Sequence, residues 1–331
     1  MKRIFITGTA GFIGFHLAKL LLQDGWQVVG FDGLTDYYDV KLKEQRHSIL
    51  RQHKNFSSKE AMLEDAEALS RAVLEAQPDV IIHLAAQAGV RYSIENPRAY
   101  VDANIVGSFN LMEAALQVKP AHLLMASTSS VYGSNVEMPY AEMHKADTQM
   151  SFYAATKKAN EALAHSWSHI HKIPITMFRF FTVYGPWGRP DMASFKFTRA
   201  ILNGEPIDVY GHGQMWRDFT YVEDLVRAIA LLIEVVPHSE KAIDGDNLSQ
   251  VAPFRVINIG NSTKVKLEDF IEAFENALGK KAIRNYLPMQ QGDVQATWAD
   301  SSLLKSLTGY APETCIADGV KKFCDWYTDY F

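Results

Sequence analysis

The sequence predicts an α/β protein built on a doubly wound parallel sheet, with a smaller α/β lobe assembled from its later segments. Short continuous apolar runs alternate with stretches of helical period, the pattern of strands buried on both faces by helices. A glycine-rich turn joins the first such run to the first helix. Of the 331 residues, 47% are hydrophobic and 21% charged, enough for a sizeable core in one large or two smaller domains.

The elements follow in order. "RIFITG" reads as a buried strand, and "FIGFHLAKLLLQDG" as a helix with Ile13, Leu17, Leu20 and Leu21 on one face, ended by Gly25. "QVVGFD", "DVIIHLAA", "HLLMAS" and "ITMFRFF" supply four more buried strands. The loop-like stretches are Val183–Pro190, Gly211–Gly213 and Pro237–Pro253, which point to a second, irregular lobe. The expected division is 1–181 for the first lobe, receiving part of 217–260, and 182–331 mainly for the second.

Several classes are disfavoured. A net charge of −5 gives no reason to expect nucleic acid or an acidic membrane as partner. Cys315 and Cys324 match no metal frame and read as inert thiols in a reducing compartment. The first strand begins at the third residue, and no run approaches the roughly 18 apolar residues of a membrane span, so a cytoplasmic protein is expected. His165 and His169, spaced i, i+4 with His171 following, lack an obvious third ligand, so a helix surface or subunit contact is expected and no metal.

"TGTAGFIG" places Gly8, Gly11 and Gly14 three residues apart between strand and helix. Gly8 permits the tight turn, Gly11 lets the backbone approach a pyrophosphate, and Gly14 allows close helix packing. The helix N-terminus stabilises the negative charge. This is the arrangement of a Rossmann-type dinucleotide site. Asp32 ends the second strand, where a carboxylate accepts hydrogen bonds from ribose hydroxyls and repels a 2′-phosphate, favouring NAD over NADP. In "YAATK", Tyr153 and Lys157 share one helix face, one turn apart. A tyrosine pKa of about 10 is too high for a base at neutral pH, and a nearby ammonium or positive nicotinamide favours the phenolate. "STSSVYG" puts hydroxyls on four consecutive residues, Ser127 to Ser130, with no acid among them.

With these motifs the chain resembles the extended short-chain dehydrogenase/reductase family over essentially its whole length. More narrowly it resembles the UDP-glucuronate 4-epimerases, through "TGTAGFIG", "DYYDVKLK", "HLAAQAGVRYSIENP", "SSVYG", "YAATKKANE", "FRFFTVYGPWGRPDMA", "RDFTYVEDL" and "GDVQATWAD". The block from Phe178 to Ala193 is the most specific. The resemblance implies catalytic Thr128, Tyr153 and Lys157: Tyr153 removes the 4-hydroxyl proton as hydride leaves C4 for NAD, the 4-keto sugar rotates, and hydride returns to its other face. Lys157 also holds the nicotinamide ribose. The implied cofactor set is Gly8, Gly11, Phe12, Ile13, Gly14, Asp32, Leu84, Ala85, Ala86, Tyr153 and Lys157. Substrate contacts fall to Arg91, Thr128, Ser129, Ser130, Tyr153, Thr182, Arg189, Arg217 and Asp293. Arg189 and Arg217 are expected on the UDP diphosphate, Arg91 near the phosphates or a carboxylate, and Asp293 on the uridine ribose.

The hydroxyl cluster refines this. Resembling dehydratases typically carry Asp and Glu after the catalytic Thr, and resembling decarboxylases a Glu before the Val; here Ser129 and Ser130 stand instead. Hydroxyls can bond a substrate carboxylate that acids would repel. Thr182 replaces the Asn typical of UDP-galactose 4-epimerases. The expected reaction is C4 epimerisation of UDP-glucuronate to UDP-galacturonate; the rivals are a neutral UDP-hexose, decarboxylation, or a non-catalytic NAD-binding scaffold. Two departures stand out. Ala61-Met62-Leu63 replaces the usual Gly-Asp-Leu and removes an adenine contact. Gln290 stands where galactose epimerases resemble one another in having Arg. Trp187 and the "RFF" aromatics read as packing. A homodimer through Asn104–Leu116 and Tyr153–His169 is expected.

Overall fold

The computed structural model describes every residue except Met1, Ser239, Lys241 and Gln291, so the loop 237–253 and the block "QGDVQATWAD" are each described only in part. The strands are β1 (Arg3–Thr7), β2 (Gln27–Asp32), β3 (Phe56–Glu60), β4 (Val80–His83), β5 (His122–Thr128), β6 (Ile175–Phe180), β7 (Thr182–Tyr184), β8 (Pro206–Tyr210), β9 (Trp216–Tyr221), β10 (Phe254–Ile259), β11 (Lys264–Lys266), β12 (Ile283–Leu287) and β13 (Ala296–Thr297). The helices are α1 (Phe12–Gln23), α2 (Val40–Arg51), α3 (Ala66–Ala76), α4 (Tyr92–Glu95), α5 (Pro97–Tyr100), α6 (Gly107–Val118), α7 (Phe152–His171), α8 (Ala193–Asn203), α9 (Val222–Leu232), α10 (Leu267–Leu278), α11 (Ser302–Thr308) and α12 (Ile316–Tyr330).

Seven parallel strands form the main sheet in the order β10-β6-β5-β4-β1-β2-β3. Alternation along β1 sorts its side chains: Ile4 and Ile6 meet α1 and α9, while Phe5 meets α3 and α6 on the other face. The order reverses between β1 and β4, so a crevice opens above their C-terminal ends. The smaller lobe joins β11, β9, β13 and β7 in one sheet and β12 with β8 in another. Its core is aromatic, with Phe219 stacked on Phe270 at 3.7 Å and Phe195 edge-on to Phe323.

Two strands of the main sheet lie outside the five apolar runs. β3, "FSSKE", is an edge strand with Phe56 as its buried residue, so it lacks the apolar signature. β10, "FRVINI", carries two buried polar groups that the fold satisfies. Arg255 pairs with Asp246 at 2.7 Å, and Asn258 bonds Tyr132 and Tyr140. The stretch Val183–Pro190 also departs from a simple loop, because its first two residues belong to β7 and pair with β9.

A second buried ion pair ties α7 to the sheet: Arg179 on β6 donates through Nε and Nη2 to Glu161 at 2.9 and 2.8 Å, and Ser127 donates to the same carboxylate at 2.7 Å. Removing Arg179 leaves Glu161 buried with only Ser127 and the partly exposed Lys158 as partners. Arg179→Met is expected to cost about 3–5 kcal/mol, read as a lower denaturation midpoint. Lys2→Ala, which breaks the exposed pair with Glu234, is expected to stay within about 0.5 kcal/mol.

Candidate active site

The nominated residues from both lobes line one cleft of about 1300 Å³ above the strand ends. Its deep wall is the turn between β1 and α1. Gly8 has φ +83°, and a Cβ there would meet the Ala85 nitrogen at 2.7 Å; a Cβ on Gly14 would meet the Gly8 carbonyl oxygen at 2.0 Å. Only glycine permits this approach. Gly11 caps α1 with no side-chain bond to its N-terminus, so the first amides remain available to an anion. At the tip of β2, Asp32 accepts hydrogen bonds from Ala10 N and Leu34 N, both at 2.9 Å, which fixes its carboxylate facing the cleft. A glycine cradle with free amides and a carboxylate one strand away fits a dinucleotide with an unsubstituted ribose.

Met62 lies beside Asp32 in the cleft, its sulfur against Gly33, at the place where an adenine contact was missed. Leu84–Ala86 leave β4 along the opposite edge. The Leu84 and Ala85 amides are held by the Thr7 hydroxyl, at 3.2 and 3.1 Å.

Ser151 caps α7 by accepting from Ala154 N at 3.1 Å, which starts the helix so that Tyr153 and Lys157 both face the cleft. Lys157 is buried and donates from Nζ to the Ala126 carbonyl at 2.9 Å; burial pulls its pKa from 10.5 down to about 8. Burial also pushes the Tyr153 phenol up, opposed by a hydrogen bond with Thr128 and by the charge of Arg189. Sequence reasoning gave that opposing role to the lysine and the nicotinamide; the structure adds Thr128 and Arg189, while the Lys157 ammonium is bonded to the Ala126 carbonyl.

The hydroxyls divide by orientation. Ser127 points away to Glu161. Thr128 is buried at the end of β5, and its Oγ1 caps the following turn by accepting from Ser130 N at 3.2 Å. Ser129 and Thr182 are half-buried cleft residues whose hydroxyls make no recorded hydrogen bond among the described residues. Backbone satisfaction thus accounts for part of what Thr128 does and for nothing that Ser129 and Thr182 do.

The arginines sit at different depths. Arg189 forks onto Asp191 at 3.0 and 2.6 Å, and its charge reaches Tyr153, so it lies towards the reacting end. Arg217 donates to the Trp216 carbonyl at 2.8 Å, and burial draws its pKa below the usual value. Arg91 bridges to Asp293 at 3.7 Å and lies over the Tyr210 ring at 5.0 Å, spanning the cleft mouth. Gln290 is near this end, with its Oε1 buried and unpartnered.

Other residues escaped the sequence reading. Tyr37 donates to Asp191, and Lys43 lines the cleft beside Asp32 with Nζ bonded to Thr35 and 4.3 Å over the Tyr38 ring. Their signal was polar residues at core positions of a helix: Lys43, Arg46, His47 and Leu50 are all buried at i, i+3, i+4, i+7. His165 and His169 lie on the surface side of α7, with His169 exposed, and hold an intrachain loop by bonding Ser249 Oγ at 2.8 Å and the Val251 carbonyl at 2.7 Å. Trp187 packs on Phe15, Trp326 and Tyr330.

With this geometry on hand, the comparisons are specific. The family model described as GDP-mannose 4,6 dehydratase matches residues 5–323. The chain belongs to that family, within the extended short-chain dehydrogenases/reductases. Among curated relatives, a probable UDP-glucuronate 4-epimerase from Rhizobium meliloti (strain 1021) is 58% identical, covering 98% of this chain and 96% of that protein. UDP-glucuronate 4-epimerase 4 of Arabidopsis thaliana is 42% identical over 99% of this chain and 76% of its own length. Among solved structures, the UDP-glucuronic acid 4-epimerase from Bacillus cereus, in complex with UDP-glucuronic acid and NAD, has a TM-score of 0.89. It is 32% identical and covers 99% of this chain and 100% of its own.

The buried lysine makes a prediction. Its pKa is lower in the folded chain, so its charge opposes folding in full below about pH 8, and the penalty fades as pH rises to 10.5. The shift corresponds to roughly 3 kcal/mol, less the bond to Ala126. Lys157→Met is expected to abolish turnover yet raise the melting temperature at pH 7, with the gain shrinking between pH 8 and 10.5.

Proposed function

We propose that this chain is an NAD-dependent UDP-glucuronate 4-epimerase, interconverting UDP-glucuronate and UDP-galacturonate. The observation that carries this is the pair of uncommitted hydroxyls, Ser129 and Thr182, in the cleft that holds Thr128 and Tyr153, with no acid in the 127–130 run. The family's name covers dehydratases, but no acid in that run is placed to protonate a leaving hydroxyl.

NAD, when bound, supplies a reversible two-electron oxidation at C4 of the sugar. The glycine turn, Asp32 at the adenosine ribose and Leu84–Ala86 would hold it. Thr128 holds the C4 oxygen, and Tyr153 takes the proton from the 4-hydroxyl and returns it after the keto sugar has turned over. Lys157 bonds the nicotinamide ribose and keeps the positive field under the phenolate. Arg189, expected on the diphosphate from the sequence, instead neutralises charge at the sugar end, where its charge also acts on the Tyr153 phenol, while Arg217 and Arg91 meet the diphosphate and Asp293 the uridine ribose. For Arg91 and Asp293 this means exchanging their mutual ion pair for substrate.

Oxidation at C4 creates a β-keto acid prone to lose carbon dioxide. Ser129, Ser130 and Thr182 hold the carboxylate so that the breaking C–C bond lies out of overlap with the carbonyl. The second lobe and the 182–331 boundary serve the UDP-sugar, with β10 returning to the cofactor lobe. We further propose a homodimer through α6 and α7, where Phe109 and Leu163 are exposed, and a cytoplasmic location suited to the free thiols Cys315 and Cys324.

Purified protein incubated with UDP-glucuronate and no added cofactor is expected to yield mainly UDP-galacturonate, resolved by chromatography. Turnover only with added NAD would show that Met62 weakens cofactor retention; no turnover with either would remove the proposal. Ser130→Glu and Thr182→Val are expected to raise the UDP-pentose fraction severalfold. Unchanged product ratios in both variants would exclude the orienting role of the hydroxyls.

A further inference from the structure

Arg46 is among the largest fully buried side chains, yet no carboxylate is among its hydrogen-bond partners. One nitrogen, Nη1, donates to the Ala10 carbonyl and the Tyr38 hydroxyl, both at 2.8 Å. The other, Nη2, donates to the carbonyls of Trp187 at 2.6 Å and Gly188 at 3.0 Å. Its Nε has no partner among the described residues. A buried guanidinium costs free energy unless its surroundings gain from it, so what those four oxygens have in common matters.

Three of them belong to two functional loops, and the fourth is the hydroxyl of Tyr38, just ahead of α2. Ala10 lies in the glycine turn, whose neighbour Thr9 is bonded to His47 of the same helix at 3.0 Å. Trp187 and Gly188 immediately precede Arg189. Trp187 has φ +59°, a left-handed conformation that a large side chain avoids, and both that carbonyl and the next are bonded to Arg46. His16, on α1, bonds the Pro186 carbonyl at 2.8 Å, and burial drives its pKa down to about 4. The neutral ring holds the loop one residue earlier. Three consecutive carbonyls are thus anchored to α1 and α2, the helices that flank the cofactor turn.

We propose that Arg46 is a positioning residue for the substrate: it fixes the Trp187–Gly188 segment to the cofactor turn and thereby sets where Arg189 meets the sugar end of the UDP-sugar. The inference rests on the reading of Arg189 as a substrate ligand. Lysine at position 46 keeps the charge but has one nitrogen in place of two, and cannot hold both loops.

The test is a double-mutant cycle in a Tyr153→Phe background, which stops turnover, with saturating NAD. Affinities for UDP-glucuronate and for UDP are measured by calorimetry. Arg46→Lys is expected to weaken UDP-glucuronate five- to twentyfold while changing UDP less than twofold, because the sugar end is what Arg189 serves. Arg189→Ala gives the same pattern, and the double variant is no weaker than Arg189→Ala alone. Additive losses, or equal losses for UDP and UDP-glucuronate, would overturn the proposal while leaving Arg189 a ligand. If Arg189→Ala leaves UDP-glucuronate binding intact, the reading of Arg189 falls and this inference with it. Should Arg46→Lys fail to fold, His16→Gln loosens the same segment, and the same selective loss, smaller in size, is expected; no loss there overturns the proposal.

Discussion

The structure depends on a carboxylate that never meets substrate. Glu161 sits one turn beyond Lys157 on α7 and takes four hydrogen bonds, two from Arg179 on β6, one from Ser127 on β5 and one from Lys158 on its own helix. Opposite charges satisfied in this way in a dry interior leave little freedom of position. Helix and strand end are therefore locked together, which sets the phenol of Tyr153 against the hydroxyl of Thr128. Tyr132 closes the other side, its ring 4.7 Å from the Arg179 guanidinium and its hydroxyl on Asn258. The same buried cluster thus supports α7, β5, β6 and β10.

Around this anchor the cleft is divided by chemistry. In the proposed reading, glycine and free amides would meet a diphosphate, a fixed carboxylate a ribose, and uncommitted hydroxyls the sugar. Cations are spread from the floor to the mouth. Arg189 and Arg91 are both neutralised by neighbouring carboxylates, which lowers the cost of holding positive charge before an anion arrives. Two copies of one idea serve opposite ends of the substrate.

Much of this was legible in residue order. The glycine spacing, Asp32 at a strand end and the Tyr153–Lys157 pair each follow from local geometry, which a sequence carries directly. What escaped was long-range. β10 was hidden because Arg255 and Asn258 interrupt its apolar run, and their partners lie in a distant loop and in the aromatic pair Tyr132–Tyr140. β3 escaped because an edge strand needs few apolar side chains. The phenol's further modulators escaped for a related reason: i, i+4 spacing showed Lys157 near Tyr153, but Thr128 and Arg189 come from a distant strand end and a distant loop. Arg46 carried a readable sign, a cation on the buried stripe of α2, but its partners were not readable.

Asp32 has a consequence for how such a protein can change. Both its oxygens already accept backbone amides, from Ala10 in the glycine turn and Leu34 in the next loop. Trading that carboxylate for a small neutral residue would remove the repulsion towards a phosphorylated ribose, but it would also orphan two amides and slacken the turn that every dinucleotide needs. Gain of a new cofactor and loss of the old scaffold are therefore coupled in a single position. A lineage carrying this arrangement can diversify its sugar chemistry at residues 129, 130 and 182 one substitution at a time, while its choice of cofactor stays behind a barrier that takes several simultaneous changes to cross.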